Sequence, residues 1–332
     1  MKILGIETSC DETAAAVVED GTKLLSNIVS SSLSLHSKTG GVIPEIAARE
    51  QNKAMIPVLE ETLKTLDGEN VDAIAVTFGP GLIGSLLVGV ETAKTLSFVW
   101  NKPLIPVNHL IGHIYASRLE SPVLPKFPLV ALIVSGGHTE LLHVQDHGKF
   151  EHLGGTRDDA AGEAFDKAAR ILGLGYPGGP LIEEKARNGN SRTYNLPRPM
   201  INTTDYDFSY SGLKTALLEL VSRLNQNSAN HKLSPDEICN VAASFQEAVV
   251  DSLVSKTIRA AKNANVKTIV LGGGVAANTK LKEKLRSSFS GNVCTPEPKF
   301  AVDNAAMIAS AAFFNFKPVS WRKVFADASI LF

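Results

Sequence analysis

The chain has 332 residues, of which 44% are hydrophobic and 20% charged, and its formal net charge is −1. This composition is typical of a globular protein, the length favours two lobes, and the charge excludes a general attraction to nucleic acid or membrane. The sequence contains no run of 18 apolar residues, so it predicts no membrane-spanning helix. The start lacks a signal or transit layout, and Cys10, Cys239 and Cys294 are too dispersed for disulfides or a zinc knuckle. We therefore expect a cytoplasmic protein.

The N-terminal region predicts a strand, a small polar loop, a strand, a turn and a strand. The three apolar runs are Ile3–Glu7, Ala14–Val18 and Leu24–Val29. The same order recurs about 125 residues later, and two such copies indicate an internal duplication. The runs of the second copy are Leu129–Val134, Leu141–Val144 and Phe150–Leu153. The sequence therefore predicts lobes over residues 1–125 and 126–332.

Further elements follow from apolar patterning and from Pro and Gly positions. The predicted helices are Pro44–Leu66, Gly84–Val99, His109–Leu119, Gly162–Leu172, Pro235–Ala264 and one that begins near Asp303. Strands are predicted at Ala73–Thr77 and Val266–Leu271. The helix Gly84–Val99 is too apolar to be exposed, and it belongs either to the core or to a partner interface. Residues 188–234 are richer in Asn, Ser, Thr and Pro, which predicts an insertion in the second lobe.

Three small-residue loops that leave apolar strands are candidates for binding phosphate through backbone amides. They are Asp11–Thr13, Ser135–Thr139 and Gly272–Asn278. A plain tight turn is the alternative for any one of them. None contains GxxxxGK[ST], which excludes a P-loop, and none is a clean GxGxxG that opens a helix. The layout resembles the actin, Hsp70 and sugar-kinase superfamily.

A metal site is predicted at His109 and His113, which are four residues apart on a predicted helix and therefore share one face. Leu110 stands where a zinc peptidase would carry its catalytic Glu, which disfavours that chemistry. Asp303 is the best third ligand, although a helix cap is its alternative. Two His and one carboxylate leave open positions and suit Fe(II) or Zn²⁺.

Several longer motifs occur in an order that resembles one family. They are Glu7–Thr13, Gly40–Glu45, Gly79–Leu82, Asn108–His109 with His113, Val134–Thr139, Gly162–Lys167, Tyr176–Pro180 and Gly272–Asn278. Together they resemble the tRNA threonylcarbamoyladenosine transferase family in its bacterial form (TsaD, also called Gcp). The resemblance extends from residue 1 to about residue 327.

This resemblance implies an α/β fold of the duplicated actin-like and Hsp70-like (ribonuclease-H-like) two-lobe class. The implied reaction moves a threonylcarbamoyl group from threonylcarbamoyl-AMP to the exocyclic amine of the adenosine 3′ of the anticodon, and AMP is released. The tRNAs concerned read codons that begin with A. The implied partners are tRNA, a paralogous actin-like subunit (TsaB) and a small P-loop ATPase (TsaE).

The resemblance also implies roles for individual residues. The metal ligands would be His109, His113 and Asp303. Positions that would hold the adenylate are Ile133, Val134, Ser135, Gly136, Gly137, Asp166, Gly179, Glu183 and Asn278. Glu183 departs from the family, which often has Asp there. Asp11 or Glu12 is a candidate to orient the amine or accept its proton, with a structural loop carboxylate as the alternative. Asp166 by its position alone would fit a solvated helix residue.

Two other function classes stay open at this point. A kinase of the same superfamily usually carries Asp-x-Gly-Thr in its first loop, whereas this chain has Glu7–Asp11 there. A nucleotide-dependent switch of the Hsp70 type would not need the two histidines and Asp303.

Overall fold

The computed structural model describes residues 1–36, 41–66, 70–121, 124–227 and 230–332. Gly40 of the motif 40–45 lies outside the described residues. The described chain forms two mixed five-stranded sheets with helices packed on them. Among these residues, no helix combines the length and the apolar character that crossing a bilayer requires.

The first sheet is built around a central strand that is buried along nearly its whole length. Its strands are β1 (Lys2–Glu7), β2 (Glu12–Glu19), β3 (Lys23–Ser31), β4 (Ala73–Gly79) and β5 (Leu104–Asn108). They lie in the order β3-β2-β1-β4-β5, with β1 antiparallel to β2 and parallel to β4. Because β1 is covered on both faces from Ile3 onward, residues Ile3 to Ile6 lack the alternation of a half-exposed strand.

The second sheet repeats this topology. Its strands are β6 (Leu129–Val134), β7 (Thr139–Asp146), β8 (Lys149–Gly155), β9 (Thr268–Gly272) and β10 (Asn292–Cys294). They lie in the order β10-β9-β6-β7-β8, with β6 antiparallel to β7 and parallel to β9. In each sheet, the first strand of the copy (β1 or β6) lies between the antiparallel strand that follows it in the chain and a parallel strand from later in the chain. This shared arrangement agrees with the duplication predicted from the two strand-loop-strand patterns.

The helices in chain order are α1 (Leu33–His36), α2 (Pro44–Lys64), α3 (Ile83–Trp100), α4 (His109–Tyr115), α5 (Ala161–Ile171), α6 (Gly178–Ala186), α7 (Ser211–Asn227), α8 (Pro235–Asn263), α9 (Thr279–Ser288), α10 (Pro298–Ala301) and α11 (Ala305–Phe314). The bounds of α2 and α8 differ by one or two residues from the prediction. The start of α8 is fixed by a capping box, in which Ser234 and Glu237 satisfy each other's backbone amides. Helix α4 is shorter than predicted because its last turn tightens into a 3₁₀ turn, Ala116–Arg118.

The chain divides into two compact units whose boundary differs from the predicted one. The first unit contains Met1–Pro125, Asp146–Phe150 and Thr295–Phe332, and the second contains Lys126–Gln145 and Glu151–Cys294. The C-terminal segment was expected in the second lobe, but α11 packs on β1, β2 and α4 of the first unit. Residues 188–234 lie in the second unit and include α7. Their origin as an insertion stays a prediction.

Helix α3 is only partly covered, contrary to the expectation that it is too apolar to be exposed. Leu86 and Val90 are fully buried, whereas Leu87, Phe98 and Val99 expose between 46% and 67% of their surface. The helix therefore presents apolar side chains both to the core of the first unit and away from it.

Gly5 allows α11 to lie directly on β1. A Cβ atom at Gly5 would lie 2.3 Å from the carbonyl oxygen of Ala305 and 3.0 Å from the amide nitrogen of Ala309. Both are backbone atoms of α11, so neither can move without displacing the helix.

We predict that Gly5→Ala lowers the free energy of unfolding by about 1–3 kcal/mol, because the added methyl group overpacks the contact with α11. Chemical denaturation measures the change. Gly212→Ala is the control, since its Cβ would meet its nearest neighbour, Pro199, at 3.6 Å. That control should be neutral or slightly stabilising, and equal destabilisation by both substitutions would contradict the prediction.

Candidate functional site

The two histidines of the predicted metal site lie at the start and in the middle of α4, directly after β5. Asn108 caps the helix, and its side chain accepts hydrogen bonds from the amides of Leu110 and Ile111. The imidazole rings of His109 and His113 project from one face, with centroids 4.7 Å apart. Both side chains are buried in the first unit. The predicted i, i+4 arrangement is therefore present.

Asp303 approaches both rings from the segment between α10 and α11. Its Oδ1 lies 3.6 Å from Nε2 of His109 and 3.2 Å from Nε2 of His113. The alternative reading of Asp303 as a helix cap does not hold, because Asn304 caps α11 by accepting from the amide of Met307. The carboxylate of Asp303 is therefore available to the histidine pair.

The donor set fits one divalent ion. Ligand atoms about 2.1 Å from a tetrahedral ion lie roughly 3.4 Å from one another. One ligand atom from each of the three residues lies within 4.8 Å of the other two. Among the described residues, neither ring nitrogen of buried His113 has a partner with hydrogen-bond geometry, although Nε2 is close to Asp303. Burial lowers the pKa of His113, and Asp303 offsets this only in part. A neutral imidazole is the form that binds metal.

Close packing of α4 against α11 brings the three side chains together. Gly112 lies between the histidines in sequence, and a Cβ atom there would lie 2.7 Å from Cδ1 of Ile308. The missing side chain at Gly112 therefore lets α11 approach α4, with Asp303 just ahead of it.

Glu7 is a buried carboxylate behind His109 that the sequence analysis placed in a motif without assigning it a role. Its Oε2 lies 3.0 Å from Nδ1 of His109 and accepts from the hydroxyl of Thr77 at 2.5 Å. Burial lowers the pKa of His109, but the carboxylates of Glu7 and Asp303 outweigh burial and raise it to about 9. The available signal was a glutamate that ends an otherwise apolar, buried strand.

The candidate catalytic residues Asp11 and Glu12 lie in the same unit, where the loop after β1 enters β2. Asp11 is buried, and Glu12 accepts a hydrogen bond from the hydroxyl of Ser31. Burial and the neighbouring carboxylates of Asp303 and Asp11 raise the pKa of Glu12 to about 10. Glu12 is thus close enough to Asp303 for their charges to interact. A protonated carboxyl donates a hydrogen bond, whereas an ionised one only accepts.

Gln51 of α2 holds the loop that carries these carboxylates. Its buried Nε2 donates to the carbonyl of Cys10 at 2.9 Å and that of Glu12 at 3.0 Å, and it lies 3.5 Å from the carbonyl of Thr8. The hydroxyl of Ser85 on α3 adds a second bond to the Cys10 carbonyl. Two helices therefore fix a loop that has no regular structure of its own.

In the second unit, the predicted adenylate-binding loop follows β6. Ile133 and Val134 are fully buried in the strand, so their side chains face the core rather than a ligand. Ser135 closes the loop by a bond from its amide to the His138 carbonyl. Gly136 has no atom within 4 Å of a Cβ position, and the same is true of Gly137. Both glycines are also exposed, so a ligand can approach their backbone, as anion binding requires.

Two neighbouring elements of the second unit approach this loop through glycines. A Cβ at Gly162, in the first turn of α5, would lie 2.4 Å from the Ser135 carbonyl. One at Gly273 would lie 2.4 Å from the Val134 carbonyl. The backbone at Gly273 has φ +88°, which favours glycine. Two of the three predicted phosphate loops are thus adjacent in the structure.

Asp166 joins α5 to α6 and is not a solvated helix residue. Its Oδ1 accepts from the amide of Gly178 at 2.7 Å, and burial raises its pKa. Lys167, the next residue, forms ion pairs with Asp159 and Glu163 rather than with Asp166. Gly179, next to Gly178, has open space at its Cβ position.

Glu183 of α6 and Asn278 meet at the start of α9. Glu183 Oε1 accepts from the amide of Thr279 at 3.1 Å, and its Oε2 lies 3.5 Å from Nδ2 of Asn278. Asn278 caps α9 and also donates to Gln246. The longer glutamate at position 183 therefore reaches the turn that precedes α9.

Comparison with known proteins identifies the family. The sequence model for TsaD, tRNA N6-adenosine threonylcarbamoyltransferase, matches residues 23–310. The chain belongs to this family. A tRNA N6-adenosine threonylcarbamoyltransferase of Thermomicrobium roseum is 52% identical over 99% of this chain and 95% of its own. One of Caldicellulosiruptor saccharolyticus is 51% identical over 95% of this chain and 93% of its own.

Solved structures support the fold class alone, because their sequences are distant. HypF of T. kodakarensis has a TM-score of 0.63 at 16% identity, with 94% of this chain and 47% of that chain covered. The activator of 2-hydroxyisocaproyl-CoA dehydratase from Clostridium difficile has a TM-score of 0.53 at 16% identity, with 94% of each chain covered. The predicted actin-like class and the family resemblance are confirmed.

We predict that Gln51→Leu lowers the free energy of unfolding by about 1–3 kcal/mol, because buried carbonyls of the 8–12 loop lose their donor. The same substitution at exposed Gln226 of α7 should change it by less than about 0.5 kcal/mol. Denaturant unfolding of the two variants provides the measurement. Hydrogen exchange of the Cys10 and Asp11 amides should also accelerate in Gln51→Leu, and unchanged exchange would speak against a loop held by Gln51.

Proposed function

We propose that this protein transfers the threonylcarbamoyl group of threonylcarbamoyl-AMP to the exocyclic amine of the adenosine 3′ of the anticodon, releasing AMP. The substrates would be tRNAs that read codons beginning with A. The family match over residues 23–310 supports transfer to tRNA. The observation that carries the chemistry is the convergence of two buried histidines, His109 and His113, with the partly buried Asp303.

His109, His113 and Asp303 would hold one divalent ion, Fe(II) or Zn²⁺. Two imidazoles and one carboxylate leave coordination positions open, which suits either ion. When bound, such an ion supplies a Lewis acid that polarises an acyl oxygen. This set also favours the transferase over a nucleotide switch or a kinase of the same superfamily, since neither of those requires two histidines there.

The adenylate would be held by the second unit. Gly136 and Gly137 border open space, and their amides would bind the phosphate. The amide of Ser135 instead donates to the His138 carbonyl, so Ser135 would hold the loop that presents these two glycines. Ile133 and Val134 would contribute through their backbone only, because their side chains are buried. Asp166, Gly179, Glu183 and Asn278 would hold the rest of the nucleotide. Glu183 and Asn278 support this assignment by lying together at the start of α9.

The adenine amine is a weak nucleophile because its lone pair is delocalised, and the acyl-adenylate offsets this with a good leaving group, AMP. Transfer forms a bond between the amine nitrogen and the acyl carbon and breaks the bond from that carbon to the phosphate oxygen. The amine proton must be accepted. Asp11 or Glu12 would orient the amine or accept that proton. Their fixation through Gln51 supports a positioned role.

We further propose that tRNA, the paralogous subunit TsaB and the ATPase TsaE are partners, in keeping with the family resemblance. A net charge of −1 gives the chain little general attraction for RNA, so a shared tRNA footprint is consistent with its composition. Since its substrate is tRNA, we expect the protein to act in the cytoplasm.

His109→Ala should abolish transfer and reduce the bound metal while leaving the fold intact. The reason is that one of three ligands is removed from α4 without disturbing the Asn108 cap. Metal content by mass spectrometry and far-ultraviolet circular dichroism provide the measurements. His231→Ala is the control, because His231 is exposed in the second unit. Full activity of His109→Ala without metal would contradict the mechanism.

The function itself is tested by combining the purified protein, TsaB, TsaE, threonylcarbamoyl-AMP and unmodified tRNA. The tRNA is then digested and its nucleosides are analysed by mass spectrometry. We expect threonylcarbamoyladenosine in tRNAs that read A-starting codons, and none when the protein is left out. Absence of this product from the complete mixture would favour the switch.

A further inference from the structure

The buried carboxylate of Glu7 lies in contact with three polar groups. Oε1 accepts from the amide of Ser9 at 2.5 Å, and Oε2 accepts from the hydroxyl of Thr77 at 2.5 Å. The third contact is Nδ1 of His109, 3.0 Å from Oε2. The side chain of Glu7 is fully buried. A buried carboxylate costs free energy unless such partners satisfy it.

These contacts select one tautomer of the neutral His109 ring, the form that binds a metal. The hydroxyl of Ser9 also lies 3.2 Å from Nδ1 of His109, on the same side of the ring as Glu7. An ionised carboxylate is only an acceptor, so Nδ1 must carry the hydrogen in the contact with Glu7. The lone pair of a neutral ring is then on Nε2, the nitrogen that faces Oδ1 of Asp303 at 3.6 Å. Hydrogen bonding at one ring nitrogen thereby selects the other as the metal ligand.

His113 has no carboxylate or other hydrogen-bond partner at the corresponding ring nitrogen among the described residues. That nitrogen, Nδ1, is buried. The orientation of the pair by polar contacts therefore comes from the His109 side, with the chain Thr77, Glu7 and His109 running from β4 through β1 to α4.

We propose that Glu7 is a positioning residue for the metal site: it fixes the tautomer and ring orientation of His109, and Thr77 holds the carboxylate in place. The proposal rests on the metal site of the proposed function. Glu7 does not itself bind the ion, because its Oε2 contacts the opposite nitrogen of the ring.

The test measures metal affinity directly. Zn²⁺ is titrated into the apo protein in competition with a chromophoric chelator, for wild type and Glu7→Gln. Glutamine keeps the shape but loses the charge and the acceptor-only character of the carboxylate. We expect Glu7→Gln to weaken Zn²⁺ binding by roughly 10–100-fold, the usual effect of losing a carboxylate behind a ligating histidine. Wild-type affinity in Glu7→Gln would overturn the proposal.

Glu140→Gln is the matched control. Glu140 is also a buried carboxylate in contact with a histidine, with its Oε2 2.7 Å from Nε2 of His152. It lies in the second unit, whereas the metal ligands lie in the first. We expect its Zn²⁺ affinity to stay within about twofold of wild type. An equal loss in both variants would mean that any buried carboxylate affects the site through stability, which would also overturn the role of Glu7.

Glu7→Asp distinguishes the effect of side-chain length from the effect of negative charge. It keeps the carboxylate but withdraws it from Nδ1 of His109 by about one carbon–carbon bond, roughly 1.5 Å. Positioning by contact predicts weaker Zn²⁺ binding in this variant too. Wild-type affinity in Glu7→Asp, with a loss in Glu7→Gln, would show that charge alone matters and would refute the positioning role.

A structural readout complements affinity. In the zinc-loaded wild type, nitrogen-15 NMR should show His109 protonated on Nδ1, with that proton protected from exchange. In Glu7→Gln the proton should exchange faster. If Glu7→Gln does not fold, Thr77→Val replaces it, because it removes one anchor of Oε2 and keeps the carboxylate. A Zn²⁺ affinity lower by about threefold or more is expected there, and an unchanged affinity would overturn the proposal.

Wild-type behaviour distinguishes this proposal from the one on which it depends. If wild type binds no Zn²⁺ or Fe²⁺, the metal part of the proposed function fails and the role of Glu7 fails with it. If wild type binds and Glu7→Gln binds equally well, only the role of Glu7 fails.

Discussion

The contact of α11 with β1 and α4 is the constraint on which the candidate metal site depends. Two glycines make it possible: Gly5 lets α11 lie on the central strand, and Gly112 lets it approach the histidine helix. A side chain at either position would meet atoms of α11 at less than 3 Å. Because the packed interior has little free volume, such a contact places the start of α11 within narrow limits. Asp303, two residues ahead of that helix, is therefore brought to His109 and His113.

The same sheet topology presents different polar groups in the two units. In both, the first strand is central, apolar and followed by a loop with polar or small residues. In the first unit the strand ends in Glu7, and its loop carries Asp11 and Glu12 on a backbone whose carbonyls accept hydrogen bonds from Gln51. In the second unit the corresponding loop carries Gly136 and Gly137, whose backbone borders open space. Carboxylates suit cations and proton transfer, whereas bare amides suit phosphate.

Several features followed from local sequence because local physics decides them. The i, i+4 spacing of His109 and His113 predicts a shared helix face, and the structure has it. The capping sequence at Ser234 fixes the start of α8 within a residue. Other predictions were wrong because long-range packing decides the feature concerned. Residues 295–332 were assigned to the second lobe because they follow it along the chain, yet they belong to the first unit.

The sequence by itself determined the fold class, the family and the histidine pair. Strand order, motif order and helical periodicity can each be recognised from residues that are close together in the chain. The tertiary structure alone decided that Asn304, and not Asp303, caps α11. It alone revealed Glu7 behind His109, since 102 positions separate the two residues and no periodicity links them. A buried polar contact between distant segments depends on which backbones can approach closely, and packing around residues such as Gly5 and Gly112 sets that approach.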